Sequence, residues 1–141
     1  MEIRFFDDGD DSLLQFAVII SMCDGKYVFC KHKLRNTLEI PGGHREKGEC
    51  IIDTAKRELY EETGAVKYDI CPICIYSVIE NGVATYGKLY FANIIEKELE
   101  LNSEMESIFL FDKLPAIEIW TYPVLQYELL KEASNRGFLK L

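Results

Sequence analysis

The sequence has no long apolar run, very little histidine and no excess of positive charge. None of its apolar stretches reaches membrane-spanning length. The opening residues, MEIRFFDDGDD, are acidic and lack the basic-then-apolar plan of a secretory signal, so a cytoplasmic protein with no membrane partner is expected. The chain carries 16 basic against 24 acidic residues, a formal net charge of −8. That balance argues against general binding to a nucleic-acid backbone, which wants a basic face, and no long nucleic acid is expected as a partner. A phosphate-bearing small ligand stays open, because a bound cation inverts the local field. There are only two histidines, His32 and His44, and one CxxC, Cys71-Pro-Ile-Cys74. A zinc site would want a second cysteine pair or nearby histidines. The five cysteines, Cys23, Cys30, Cys50, Cys71 and Cys74, are odd in number and read as reduced thiols. No repeat, low-complexity segment or internal linker appears.

What is present suits one globular domain over residues 1–141, with 48% apolar residues to build its core. Residues 12–22 form a β-branched apolar run and read as a buried strand. Asp24-Gly25 is a hairpin signal, with a return strand over 27–32. Lys31, Lys33 and Arg35 follow closely, either as a solvated loop or as a phosphate-contacting one. Residues 38–40 make a short strand, and Gly42-Gly43 reads as a tight turn. A helix spans roughly 50–63 and is closed by Gly64. Strands are expected over 66–79, interrupted or edged at Pro72, and over 83–95, with a hairpin at Asn81-Gly82. An acidic loop (96–106), a strand (107–111) and a helix from Pro123 to about Asn135 complete an α+β chain with a mixed or antiparallel sheet.

The middle helix is unusual in where its acids fall. At about 100° per residue, Ala55 lies about 40° and Leu59 about 80° from Ile51, which marks an apolar stripe. Glu58 then falls at about −20° and Glu62 at about 20°, on that same face, with Glu61 to one side at about −80°. A solvated charged face would lie opposite the stripe. Like charges at these spacings repel by roughly 0.2–0.5 kcal/mol per pair. Acids in a last turn oppose the helix dipole by about 0.3–1 kcal/mol each. One divalent cation would offset these terms, and carboxylate oxygens are hard ligands of the kind Mg2+ or Mn2+ takes. Cysteine and histidine are absent from this helix face, which argues against zinc. Arg57 can pair with Glu61 and reach back to Glu49, orienting the acids. Lys56 is left facing solvent.

Gly43, five residues, Glu49, seven residues, then Arg57-Glu58-Leu59-Tyr60-Glu61-Glu62-Thr63-Gly64-Ala65 resembles the Nudix box, with every charged and glycine position present. Two positions depart from the pattern. Ala65 stands where a bulky aliphatic is usual. Cys50 stands where a capping Ser or Thr is common, a gap that Asp53 could partly fill. The resemblance implies an α/β/α sandwich with a mixed sheet between helices, and hydrolysis of a nucleoside diphosphate linked to another group. It implies Glu58, Glu61 and Glu62 as ligands of Mg2+ (Mn2+ substituting), together with a backbone carbonyl at Gly43, and Arg57 as their holder. The general base is implied to be a box acid, Glu58 or Glu62, or a loop acid, Glu104 or Glu106, with Glu104 at about the right place. Family members are commonly homodimers.

The segment LEIPGG is similar to MutT-type nucleoside triphosphate pyrophosphohydrolases and to a Bacillus-type subgroup acting on 8-oxo-dGTP and RNA 5′ ends. ADP-ribose or nucleotide-sugar cleavage, and a non-catalytic regulatory Nudix domain, are the other readings. Substrate contacts are expected from Lys33 and Arg35 on phosphate. The base would meet an aromatic wall drawn from Phe16, Phe29, Phe91, Trp120 and Tyr122, with Trp120 preferred, although aromatic residues also dominate cores.

Overall fold

The computed structural model describes residues 1–98 and 105–141, with the backbone alone for 105–107. The strands are β1 (Glu2–Phe6), β2 (Leu14–Cys23), β3 (Lys26–His32), β4 (Leu38–Glu39), β5 (Gly42–His44), β6 (Ala65–Glu80), β7 (Val83–Lys97) and β8 (Met105–Phe111). Helix α1 is Ile51–Thr63 and α2 is Pro123–Asn135. Among the described residues the strands form one sheet in the order β1-β6-β7-β2-β3-β4, with β5 also pairing β2 and β8 pairing β3. The β2–β7 pair is parallel and the other pairs are antiparallel, so the sheet is mixed.

Alternation along β2 divides the core in two. Leu14, Ala17, Ile19 and Cys23 face α1 and pack with Ile51, Ala55 and Leu59. Ile20, with Val18 beside it, faces the other way, toward Leu129, Leu130 and Ala133 of α2. Each helix buries one stripe against one sheet face, which is the expected α/β/α sandwich.

The hairpins at Asp24-Gly25 and Asn81-Gly82 form as expected, with positive φ at all four residues. Pro72 is accommodated where the β6–β7 register shifts, between Pro72 and Cys74, beyond the stretch that β1 pairs. Three details differ from the sequence expectation. Residues 2–6 pair with the far half of β6 as an edge strand. Gly42-Gly43 is not a turn but the start of β5, laid antiparallel on β2 with Val18 opposite Gly42 and Ala17 opposite Gly43. A Cβ at Gly42 would lie 2.6 Å from the Ala17 carbonyl oxygen, so glycine here serves close backbone approach. Finally, Trp120 is a core residue at 3% exposure, packed on Phe29 and Tyr127, with its indole N–H donating to the Pro115 carbonyl at 3.2 Å.

Trp120→Ala should therefore lower stability by about 3–5 kcal/mol. Urea unfolding would read this loss, whereas KM measured well below the unfolding midpoint should change little. A normal midpoint with a sharply raised KM would return Trp120 to the substrate wall.

Candidate functional site

The site forms where β5 passes under the middle of α1. The helix starts without a side-chain cap: Cys50 makes no capping bond, and Asp53 makes none either among the described residues. A clasp replaces the cap. The Glu46 and Glu49 backbones close a turn over Gly48, whose φ is +81°. The Glu49 carboxylate then accepts from the Thr54 hydroxyl at 2.7 Å and from the Glu46 amide at 3.0 Å. Arg57 donates to both Glu49 oxygens, at 2.8 and 3.1 Å. The same guanidinium donates to the His44 carbonyl at 2.9 Å, to Glu58 at 2.8 Å and to Glu61 at 3.3 Å. Both contacts expected of Arg57, to Glu61 and to Glu49, are present. Gly64 ends the helix in the left-handed region, its N–H donating to the Tyr60 carbonyl at 2.8 Å.

The three glutamates differ in environment as their helical phase requires. Glu62 is buried, at 7% exposure, and accepts from the Gly42 N–H at 2.8 Å. Glu58 is half-buried, and its carboxylate fills the space a Cβ on Gly43 would occupy. Glu61 is exposed. Lys56 is exposed as well. Burial raises the titration of Glu58, against the pull of Arg57, and raises that of Glu62 further. Each carboxyl also pushes on the other, so the charged forms of the pair are disfavoured together. Cys30 lies behind them. Its thiol points to the Glu39 carbonyl at 3.3 Å, with Glu62 at 3.8 Å, and burial holds it protonated.

Among the described residues, no three His, Cys, Asp or Glu side chains converge as a ready cage for an ion. The donor set nevertheless fits a hard divalent cation: it is all carboxylate, two members crowd each other where burial disfavours their charge, and the thiol nearby is held protonated.

A cleft of about 810 Å³ opens from these acids. Glu58, Glu61, Glu62, Gly42 and Gly43 line one end. Phe16, Val18, Tyr76, Val78, Tyr122, Leu125 and Gln126 are among the other residues that line the cleft. Arg35 reaches the cleft, held by Glu39 at 3.0 Å and the Tyr122 hydroxyl at 3.1 Å, with its guanidinium over the Tyr122 ring. Lys33 is exposed and does not line it. Of the aromatic candidates Phe16 and Tyr122 line the cleft, Phe16 against the His44 ring at 4.6 Å. Phe29 is core and Phe91 packs on Phe138. Glu104 lies outside the described residues, as does the Glu106 side chain. His44, Tyr76 and Gln126 carry no functional signal in the sequence, and Glu39 is marked there only by its place inside the segment LEIPGG.

The NUDIX domain model matches residues 13–119. This chain belongs to the Nudix family. It is 33% identical over 116 residues to YtkD of Bacillus subtilis (strain 168), named as a candidate 8-oxo-dGTP diphosphatase, covering 82% of this chain and 73% of YtkD. It is also 56% identical over 34 residues to mouse nucleoside diphosphate-linked moiety X motif 6, a local match spanning 24% of this chain and 11% of that protein. The B. subtilis pyrophosphohydrolase BsRppH shares the fold, with a TM-score of 0.80 at 23% identity over 98% of this chain and 93% of that one. The chain is thus a Nudix hydrolase, an enzyme that cleaves pyrophosphate bonds in nucleotide or nucleoside diphosphate substrates, in a family that generally uses divalent cations.

The clasp predicts an acid limit to stability. Arg57 and Thr54 hold the Glu49 carboxyl down from its ordinary 4.5 to about 2. A depressed carboxyl adds stability that is fully present above its unfolded value and lost as pH falls through its folded one. Unfolding free energy should therefore drop between pH 4.5 and about 2 more steeply in the wild type than in Glu49→Gln. Parallel pH profiles from denaturant titration would contradict the clasp.

Proposed function

We propose that this hydrolase cleaves a nucleoside triphosphate, normal or oxidised, to the monophosphate and pyrophosphate, with Mg2+ as its metal and Mn2+ able to substitute. The observation that carries the reading is the join between the glutamate end and the cleft. A triphosphate lying on Glu58, Glu61 and Glu62 leaves its nucleoside in a cavity of nucleotide size.

Glu58, Glu61 and Glu62 would hold the metal, with a backbone carbonyl at Gly43. Bound divalent metal neutralises the pyrophosphate, polarises phosphorus and lowers the pKa of an attacking water. Arg57 keeps Glu58 and Glu61 in fixed orientation while Glu49 and the His44 carbonyl anchor its far side. As a carboxylate, Glu58 or Glu62 can take the proton from a water attacking phosphorus. Arg35 presents its remaining N–H groups to substrate phosphate. Positioning and charge stabilisation supply most of the rate in such reactions.

Two substitutions test the site. Glu61→Gln and Glu62→Gln should each lower Mg2+-dependent turnover by orders of magnitude. Glu62→Gln should leave the melting temperature unchanged or raised in metal-free buffer, since it removes one of two crowded buried carboxyls. Near-normal hydrolysis in both variants would sink the assignment. Chelation by EDTA should abolish turnover and Mg2+ restore it. A panel of triphosphates, 8-oxo-dGTP, ADP-ribose, dinucleoside polyphosphates and triphosphorylated RNA identifies the substrate; preference for any of the last three would replace the triphosphate reading.

A further inference from the structure

The cleft wall carries apolar side chains, Phe16, Val18, Val78 and Leu125 among them. Polar side chains interrupt it, and two uncharged ones are buried. Tyr76 of β6 is 3% exposed and Gln126 of α2 is 5% exposed, and both line the cleft. The Tyr76 ring lies across Gly87 of β7, its cross-strand partner, where any Cβ would overlap the ring and hydroxyl. Gln126 is held by its oxygen: Oε1 accepts from the Ile40 N–H at 3.2 Å. A backbone N–H is met only by the oxygen end of an amide, so Nε2 points away from Ile40 as a donor.

Neither the Tyr76 hydroxyl nor Gln126 Nε2 has a hydrogen-bond partner among the described residues. Yet no buried polar side-chain atom there is left both sealed and unsatisfied. Both atoms therefore open on the cleft they line. Burial raises the titration of the Tyr76 hydroxyl, which stays protonated and able to donate or accept.

We propose that Gln126 and Tyr76 read the substrate's base and select a 6-oxopurine over a 6-aminopurine. The inference rests on the triphosphate reading for the placing of the nucleoside. On the Hoogsteen edge a 6-oxopurine presents two acceptors, O6 and N7, whereas adenine presents N7 and an amino donor. Gln126 offers only N–H, so with Tyr76 on N7 adenine would set donor against donor at C6, where a buried unpaired donor is costly. The Tyr76 hydroxyl turns to suit N7 whether or not that nitrogen carries hydrogen. Gln126 thus carries the discrimination and Tyr76 the positioning.

Inosine and adenosine nucleotides differ at this edge only in the group on C6. Calorimetry with IMP and AMP in metal-free buffer, and kcat/KM for ITP and ATP with Mg2+, should both favour the inosine compound, by on the order of 10- to 100-fold. Gln126→Met should bring both ratios close to one. Tyr76→Phe, which keeps the ring over Gly87, should weaken both bases and leave the ratios unchanged. Equal binding of IMP and AMP by the wild type overturns the proposal, and that result does not depend on any variant folding. A preference that survives in folded Gln126→Met also overturns it. If IMP is preferred but no triphosphate is hydrolysed, base reading stands and the triphosphate reading falls. If ITP and ATP are hydrolysed equally well, the reverse holds.

Discussion

One guanidinium ties the catalytic half of this molecule together. Arg57 is about one-fifth exposed and touches two oxygens of Glu49, one each of Glu58 and Glu61, and the His44 carbonyl. An isolated surface ion pair contributes little. This one is different in kind, because a planar fork meets a carboxylate bidentately and three further groups share the same charge. Its partners come from β5, from the loop before α1 and from α1 itself. The clasp therefore sets the height and rotation of the helix against the strand beneath it. It also explains how α1 begins without a side-chain cap: Glu49 bonds Thr54 and Arg57, fixing the first turns from outside.

That fixed rotation forces a conflict. With Ile51, Ala55 and Leu59 packed on the sheet, Glu58 and Glu62 must enter the core's margin. Burying two carboxyls side by side disfavours their charged forms, which raises the titration of both. The space they need is made by Gly42 and Gly43, one lying flat on β2 and the other leaving room for the Glu58 carboxylate. Crowding carboxyls at the margin of a core in this way is a common arrangement where function and packing compete.

Local and periodic features were legible in the sequence. The helical phase of Glu58, Glu61 and Glu62 follows from spacing alone, and so does the reach of Arg57 to Glu61. The hairpins announce themselves by Asp-Gly and Asn-Gly. Features that depend on distant partners were not legible. Gly42-Gly43 reads as a turn because glycine pairs usually are turns; that it is a strand depends on β2, far back in the chain. Trp120 reads as a substrate wall from its place before a helix, but Phe29 and Tyr127 claim it for the core. The edge strand β1 needs the far half of β6 to have any partner. Lys33 and Arg35 are two residues apart, and only Arg35 finds Glu39 and Tyr122 to draw it into the cleft.

The same distinction separates chemistry from selectivity. The acid end is built by one continuous stretch, from β5 through α1, so its spacing is rigid and recognisable. The base end is assembled from β2, β6 and α2, elements that meet only in the folded sheet. A side chain such as Gln126 carries no signature in sequence. Its meaning comes from the Ile40 N–H, which captures the amide oxygen and so decides what the nitrogen can read. Substrate choice in this molecule can therefore change by substitution on α2 or β6 without disturbing the Arg57 clasp, because no bond of the clasp passes through either element.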